Sequence, residues 1–199
     1  MNKGIYFGRF QPMHIAHLQK VRQILGNFEN LELTIGVADW KGVPNKNNFL
    51  SGSEAVAIAR LSLDEAGLYS VKACPVGLNP EKSLKETIKT VFDKEYFNYV
   101  FSGSDKTLEA CRSLLDNGYN MNIVDLLDKG EGVRATDLRE WMLTGEATWK
   151  NFISPRVVEL ISNPELNLIQ RLRDLEDGEK RPWSINGEIA QYGLNPERR

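Results

Sequence analysis

The two histidines of the chain, His14 and His17, stand three residues apart in Gly8-Arg9-Phe10-Gln11-Pro12-Met13-His14-Ile15-Ala16-His17. If a helix begins near His14, that spacing puts both imidazoles on its first turn, facing the same side. The first turn of a helix also offers unpaired N–H groups, which suit a phosphate. Arg9 adds a permanent cation able to grip a phosphate through two donors. The chemistry within reach is therefore phosphate binding. Zinc is the other use of two close histidines. Cys74 and Cys111 are distant in sequence and no second ligand pair is visible, so no metal site is assigned.

A turn of this kind has to be held by its neighbours. Ile5-Tyr6-Phe7 before it is a short apolar run, and Leu18, Val21, Ile24 and Leu25 after it repeat as one face of a helix. The order is strand, glycine-marked turn, helix, with the turn at the carboxyl edge of the first strand. Leu31–Val37 reads as a second strand, Tyr69–Val76 as a third, Tyr99-Val100-Phe101 as a fourth ending in Ser102-Gly103-Ser104-Asp105, and Met121–Leu126 as a fifth. Ser51 and Glu54 have the form of a capping box opening a helix whose apolar face runs up to Gly67. Pro80 suits the first position of a helix carrying Leu84, Ile88, Val91 and Phe92, and Asp105 suits the N-cap of the helix Leu108–Leu115. Ser154 and Pro155 open a helix through Ile161, and Leu166, Leu168, Ile169, Leu172 and Leu175 predict one more. This alternation predicts an α/β fold, a Rossmann-like doubly wound parallel sheet of about five strands with right-handed crossovers and C-terminal helices.

Composition narrows the classes. With 199 residues the chain is long enough for one α/β domain with a proper core and too short for two typical ones. A hydrophobic content of 41% with 26% charged residues is ordinary for a soluble globular protein. Met1–Gly8 carries one lysine and no long apolar run, so no signal peptide, membrane span or membrane partner is expected. Two widely spaced cysteines suggest no disulfide framework and, with it, a cytoplasmic location. A net charge of −2 argues against nucleic acid as a partner, so an anionic ligand must be held by local donors.

The first motif resembles the G-R-F-Q-P-x-H-x-G-H signature of the nucleotidyltransferase superfamily, in the form carried by archaeal-type nicotinamide mononucleotide (NMN) adenylyltransferases. It matches at every position except Ala16, where the family usually has glycine. Arg134-Ala135-Thr136-Asp137-Leu138-Arg139 resembles the second, I-S-G-T-x-I-R element, with Thr136 and Arg139 matching. The resemblance covers about residues 3 to 161. It implies a nucleotidyltransferase domain at 1–161, leaving 162–199 as a C-terminal helix and polar tail. That tail folds over the domain, packs on a second copy in a homo-oligomer or stays mobile; the residues leave the choice open.

By this resemblance the chain joins AMP from ATP to a phosphate monoester, with Mg²⁺ accompanying ATP. His14, His17 and Arg139 are the implied catalytic residues. Gly8, Arg9, Phe10, Gln11, Lys46, Gly103 and Thr136 are the implied ATP- or phosphate-binding ones, Lys46 from its place before Asn47-Asn48-Phe49 and Gly103 from its turn beside the adenosine ribose. Two departures stand out, the first removing one contact close to the site and the second bearing on the acceptor. The arginine that usually follows Glu54 is Ala55 here, and Leu78–Leu84 lacks the tryptophan that archaeal-type enzymes stack on nicotinamide. Trp40 either supplies that ring from another direction or is an ordinary half-buried indole. The implied activity is NMN adenylyltransferase. Adenylyl or cytidylyl transfer to another phosphate monoester, and a non-catalytic nucleotide-binding protein, are the alternatives.

Overall fold

The computed structural model describes residues 1–42, 44–126 and 132–177. Within them five parallel strands form one sheet in the order β3-β2-β1-β4-β5. These are β1 (Asn2–Gly8), β2 (Leu31–Trp40), β3 (Lys72–Leu78), β4 (Tyr99–Ser102) and β5 (Asn122–Asp125). Seven α-helices accompany them: α1 (Ile15–Asn27), α2 (Gly52–Glu65), α3 (Leu84–Lys94), α4 (Asp105–Leu115), α5 (Ala135–Thr144), α6 (Pro155–Ser162) and α7 (Leu168–Glu176). A 3-10 helix, Ala147–Phe152, joins α5 to α6.

Alternate residues along each strand serve opposite faces of the sheet. Tyr6, Leu33, Ile35, Val37 and Phe101 pack with apolar residues of α1, α2, α5, α6 and α7. Ile5, Phe7, Val76 and Val100 pack with α3 and α4 around Ile88, Cys111 and Leu114. Both faces are covered, as the apolar runs of β1 and β2 require. The order of the strands reverses between β1 and β4, whose Phe7 and Ser102 lie in register. At such a switch point the connections leave in opposite directions and a crevice opens above the carboxyl ends. The turn after Gly8 and the turn after Ser102 both emerge there.

Local chemistry explains most element ends. Ser51 Oγ accepts from Glu54 N–H while Glu54 Oε2 accepts from Ser51 N–H at 2.7 Å, closing the start of α2 as its sequence predicts. Strand bounds shift, β2 running on to Trp40 and β3 spanning Lys72–Leu78 in place of Tyr69–Val76, and two helix starts move. The helix expected at Pro80 begins at Leu84, because Ser83 and Glu86 form a capping box that takes the helix start, leaving Pro80 in the turn before it. Ser104, not Asp105, is the N-cap of α4, and Asp105 supplies a negative charge to its first turn. The polar loop at 128–131 and the tail from 178 lie outside the described residues.

Candidate active site

The first motif leaves β1 at Gly8. Phe10 folds back over it with a φ of 50°, and a Cβ at Gly8 would come within 2.6 Å of the Phe10 ring. Glycine is therefore the residue that lets the turn close. A positive φ costs a bulky residue of order 1–3 kcal/mol and persists only when packing over-determines it. Here Phe10 is 1% exposed, edge-on to Tyr6 with centroids 5.3 Å apart and to His17 at 4.9 Å. The sequence reading places Phe10 and Gln11 at the phosphate. In the structure their side chains build the turn. Gln11 is fully buried and clamps Leu50 from both sides, its Nε2 donating to the Leu50 carbonyl at 3.0 Å and its Oε1 accepting from Leu50 N–H at 2.9 Å. That clamp ties the motif to the end of the 41–50 segment.

His14 is the N-cap of α1 and His17 its third residue, with ring centroids 3.9 Å apart. His17 Nδ1 accepts from the His14 N–H at 3.2 Å. A nitrogen that accepts carries no proton, so neutral His17 holds its proton on Nε2 and donates from there. His14 Nδ1 is buried without a hydrogen-bond partner among the described residues, a position that is costly until a partner arrives. Burial drops the His14 pKa from 6.5 to about 4, with Asp137 opposing and Arg139 reinforcing the fall. The same desolvation, with the neighbouring His14, holds His17 well below the usual range. Both imidazoles are neutral donors and acceptors at pH 7.

The sign of the linked stability follows. An unfolded histidine binds its proton near pH 6.5, whereas folded His14 refuses it until about pH 4, so the unfolded state holds more protons between those values. Stability is accordingly lost as pH falls from about 6.5 to about 4, by up to about 3 kcal/mol from His14 alone. The melting temperature should fall through this window, and fall less in His14→Gln. An equal slope in that variant would remove His14 as the cause.

Arg139 comes from the second turn of α5 and is 5% exposed. Nη1 donates to the Gln11 carbonyl at 2.7 Å, and Nη2 donates to Asn47 Oδ1 at 3.0 Å and Thr136 Oγ1 at 3.2 Å. One planar group thus joins the first motif, the 41–50 segment and the second motif. Burial, then repulsion from Arg9, lowers its pKa to about 10, with Asp137 opposing. It stays charged at pH 7, and the repulsion puts exposed Arg9 in its electrostatic reach. Thr136 Oγ1 accepts from Arg139, which leaves its O–H able to donate. Arg134 is the N-cap of α5, and its N–H donates to Asp137 Oδ2 at 2.8 Å.

Two expected residues stand further out. Lys46 is exposed, its Nζ 3.0 Å from Glu176 at the end of α7. Gly103 lies exposed in the turn after β4, where Ser102 Oγ accepts from Ser104 N–H at 3.2 Å. A Cβ at Gly103 would meet the Leu126 carbonyl at 3.5 Å, an ordinary contact, so the protein itself does not demand glycine there. The residues that sequence reasoning left without a role are Asn47, which holds Arg139, and Asp137, which faces His14 and Arg139. Nothing in the local sequence marks these roles, since Asn47 holds Arg139 across 92 residues and Asp137 acts on His14 only where the two motifs meet.

No family model matches the chain. It is similar to curated archaeal proteins along most of its length. The nicotinamide-nucleotide adenylyltransferase of Picrophilus torridus is 29% identical over 182 residues, covering 89% of this chain and 99% of that protein. Those of Pyrobaculum neutrophilum and Pyrococcus furiosus are 26% and 27% identical, covering 92% and 90% of this chain and 98% and 94% of theirs. Among solved structures, a bifunctional NMN adenylyltransferase/ADP ribose pyrophosphatase from Francisella tularensis, complexed with AMP and a manganese ion, matches with a TM-score of 0.62 at 17% identity. The match covers 89% of this chain and spans 53% of that one, about half its length. In sequence the chain is thus similar, over nearly the whole length of the archaeal proteins, to nicotinamide-nucleotide adenylyltransferases, and it shares its fold, built here on a five-stranded parallel sheet, with the Francisella tularensis structure.

Proposed function

We infer that this chain is a nicotinamide-nucleotide adenylyltransferase, transferring AMP from ATP to NMN to give NAD and pyrophosphate. The observation that carries the reading is the meeting of the two motifs: Arg139 of α5 donates to the Gln11 carbonyl of the histidine turn, so two neutral imidazoles and two guanidinium groups share one sheet edge. The archaeal relatives that span the same length carry this activity in their names.

The acceptor's phosphate oxygen attacks the α-phosphorus of ATP in line. A phosphorus–oxygen bond forms there, and the bond to the β-phosphate breaks as pyrophosphate leaves. Such transfer is catalysed by positioning and by stabilising charge on the transferred and leaving groups, with no protein nucleophile needed. His17 Nε2–H donates to the α-phosphate as charge builds, and His14 gains in the ligand a partner for its buried ring nitrogen. Arg9, Arg139 and the Thr136 hydroxyl hold the β- and γ-phosphates, with the first-turn N–H groups of α1 and α5 beside them. Lys46 joins them on leaving Glu176, and Gly103 lines the ribose side. Gln11 and Phe10 support the turn. ATP arrives as its Mg²⁺ complex, the cation screening the triphosphate.

One observation keeps a second acceptor in view: the 78–84 segment has no aromatic ring. Trp40 closes β2 in register with Leu78 and is half-buried against Gly42, which places an indole beside that segment. The test is pyrophosphate release by the purified protein with Mg²⁺ and ATP, with and without NMN, following NAD in the same sample. Stoichiometric NAD is expected. ATP binding without NAD would shift the assignment to another phosphate monoester.

A further inference from the structure

Helix α7 reaches the stretch beside the histidine turn through Arg171. Arg171 Nη1 donates to both carboxylate oxygens of Glu54, at 2.7 and 3.0 Å, and to the Phe49 carbonyl at 3.3 Å. Glu54 is 2% exposed, so its charge is out of water, and a buried carboxylate needs a cation beside it. Phe49 sits at the middle of a segment whose other residues serve the site. Asn47 Oδ1 accepts from Arg139, and Leu50 is clamped by Gln11. At the far end of the same helix Glu176 holds Lys46. One guanidinium from α7 therefore secures the strip that orients Arg139 on one side and the histidine turn on the other.

We propose that Arg171 is a positioning residue for the triphosphate site, acting by fixing residues 45–50 and, through Asn47, the guanidinium of Arg139. The inference rests on the reading of Arg139 as a ligand of the ATP phosphates. It makes residues 162–177 part of the working unit, where the motif resemblance ends at about residue 161.

Arg171→Ala strands a buried carboxylate, so it loses fold and function together and separates nothing. The informative variant is double, Glu54→Gln with Arg171→Met. Glutamine keeps the cap on Ser51, methionine fills the volume, and no buried charge is left unpaired. Its melting temperature should stay near that of the parent. Mg–ATP binding, read by calorimetry with no acceptor present, should weaken about tenfold, with KM for ATP rising in step and KM for NMN unchanged. In an Asn47→Ala background the link to Arg139 is already cut, and the double change should add less than about threefold. A folded double variant that binds ATP at full strength would overturn the proposal. So would a loss that multiplies in full over Asn47→Ala. Because ATP binding is read without acceptor, absence of NAD formation by the parent protein counts against the proposed function and leaves this test intact.

Discussion

His17→Ala should lower kcat by about a hundredfold or more, a loss of about 3 kcal/mol of barrier stabilisation, while ATP affinity changes little. The reason lies in the tautomer. His17 Nδ1 is occupied by the His14 N–H, so its Nε2 carries the proton and is the donor available as charge grows on the α-phosphate. A donor that acts mainly in the transition state costs rate when removed, not ground-state binding. Single-turnover kinetics with a parallel titration of Mg–ATP separates the two. If affinity falls as far as rate, His17 is a ground-state ligand and its proposed role is wrong. Since both imidazoles are already neutral at pH 7, the free enzyme's rate should show no histidine limb between pH 6 and 8, a window the usual histidine pKa would have divided.

Arg139→Lys is expected to be as damaging in a different way. Nη1 and Nη2 face different partners, the Gln11 carbonyl on one side and Asn47 and Thr136 on the other, and a single ammonium cannot span them. Losing part of this buried network should cost about 1–3 kcal/mol of stability, seen as a lower urea midpoint. The loss in kcat/KM for ATP should be larger, about a hundredfold, because the second motif and the 41–50 segment lose their common anchor and a phosphate loses a paired donor. Near-normal turnover in Arg139→Lys would show that a point charge suffices and that the fork is structural alone.

These two side chains also mark how far the sequence is readable. The histidine spacing, the glycine-marked turn and the strand–helix alternation are local, and each is enforced by neighbours a few residues away. The five parallel strands, the start of α2 at Ser51 and the start of α6 at Pro155 follow from period and capping in the same way. Even the misplaced start of α3 was a local matter, since Ser83 and Glu86 stood in the sequence as a capping box and outcompete Pro80. The type of chemistry was legible for the same reason: two imidazoles and an arginine around one helix start suit phosphate whatever packs behind them.

What only the tertiary structure decided is which polar groups spend their hydrogen bonds on the protein and which keep them for a ligand. Gln11 belongs to the motif, yet its amide is consumed by Leu50, 39 residues away. Asn47 belongs to a loop of ordinary composition, yet it holds Arg139 across 92 residues. Arg171 lies past the last recognisable motif and neutralises Glu54 across 117. Long-range polar pairing of this kind leaves no periodicity behind, because a hydrogen bond needs only two groups and a distance. The residue types and their spacing determined the chemistry within reach, and the packing of α5 against the histidine turn and of α7 against Phe49 and Glu54 decided which polar side chains are spent on the protein.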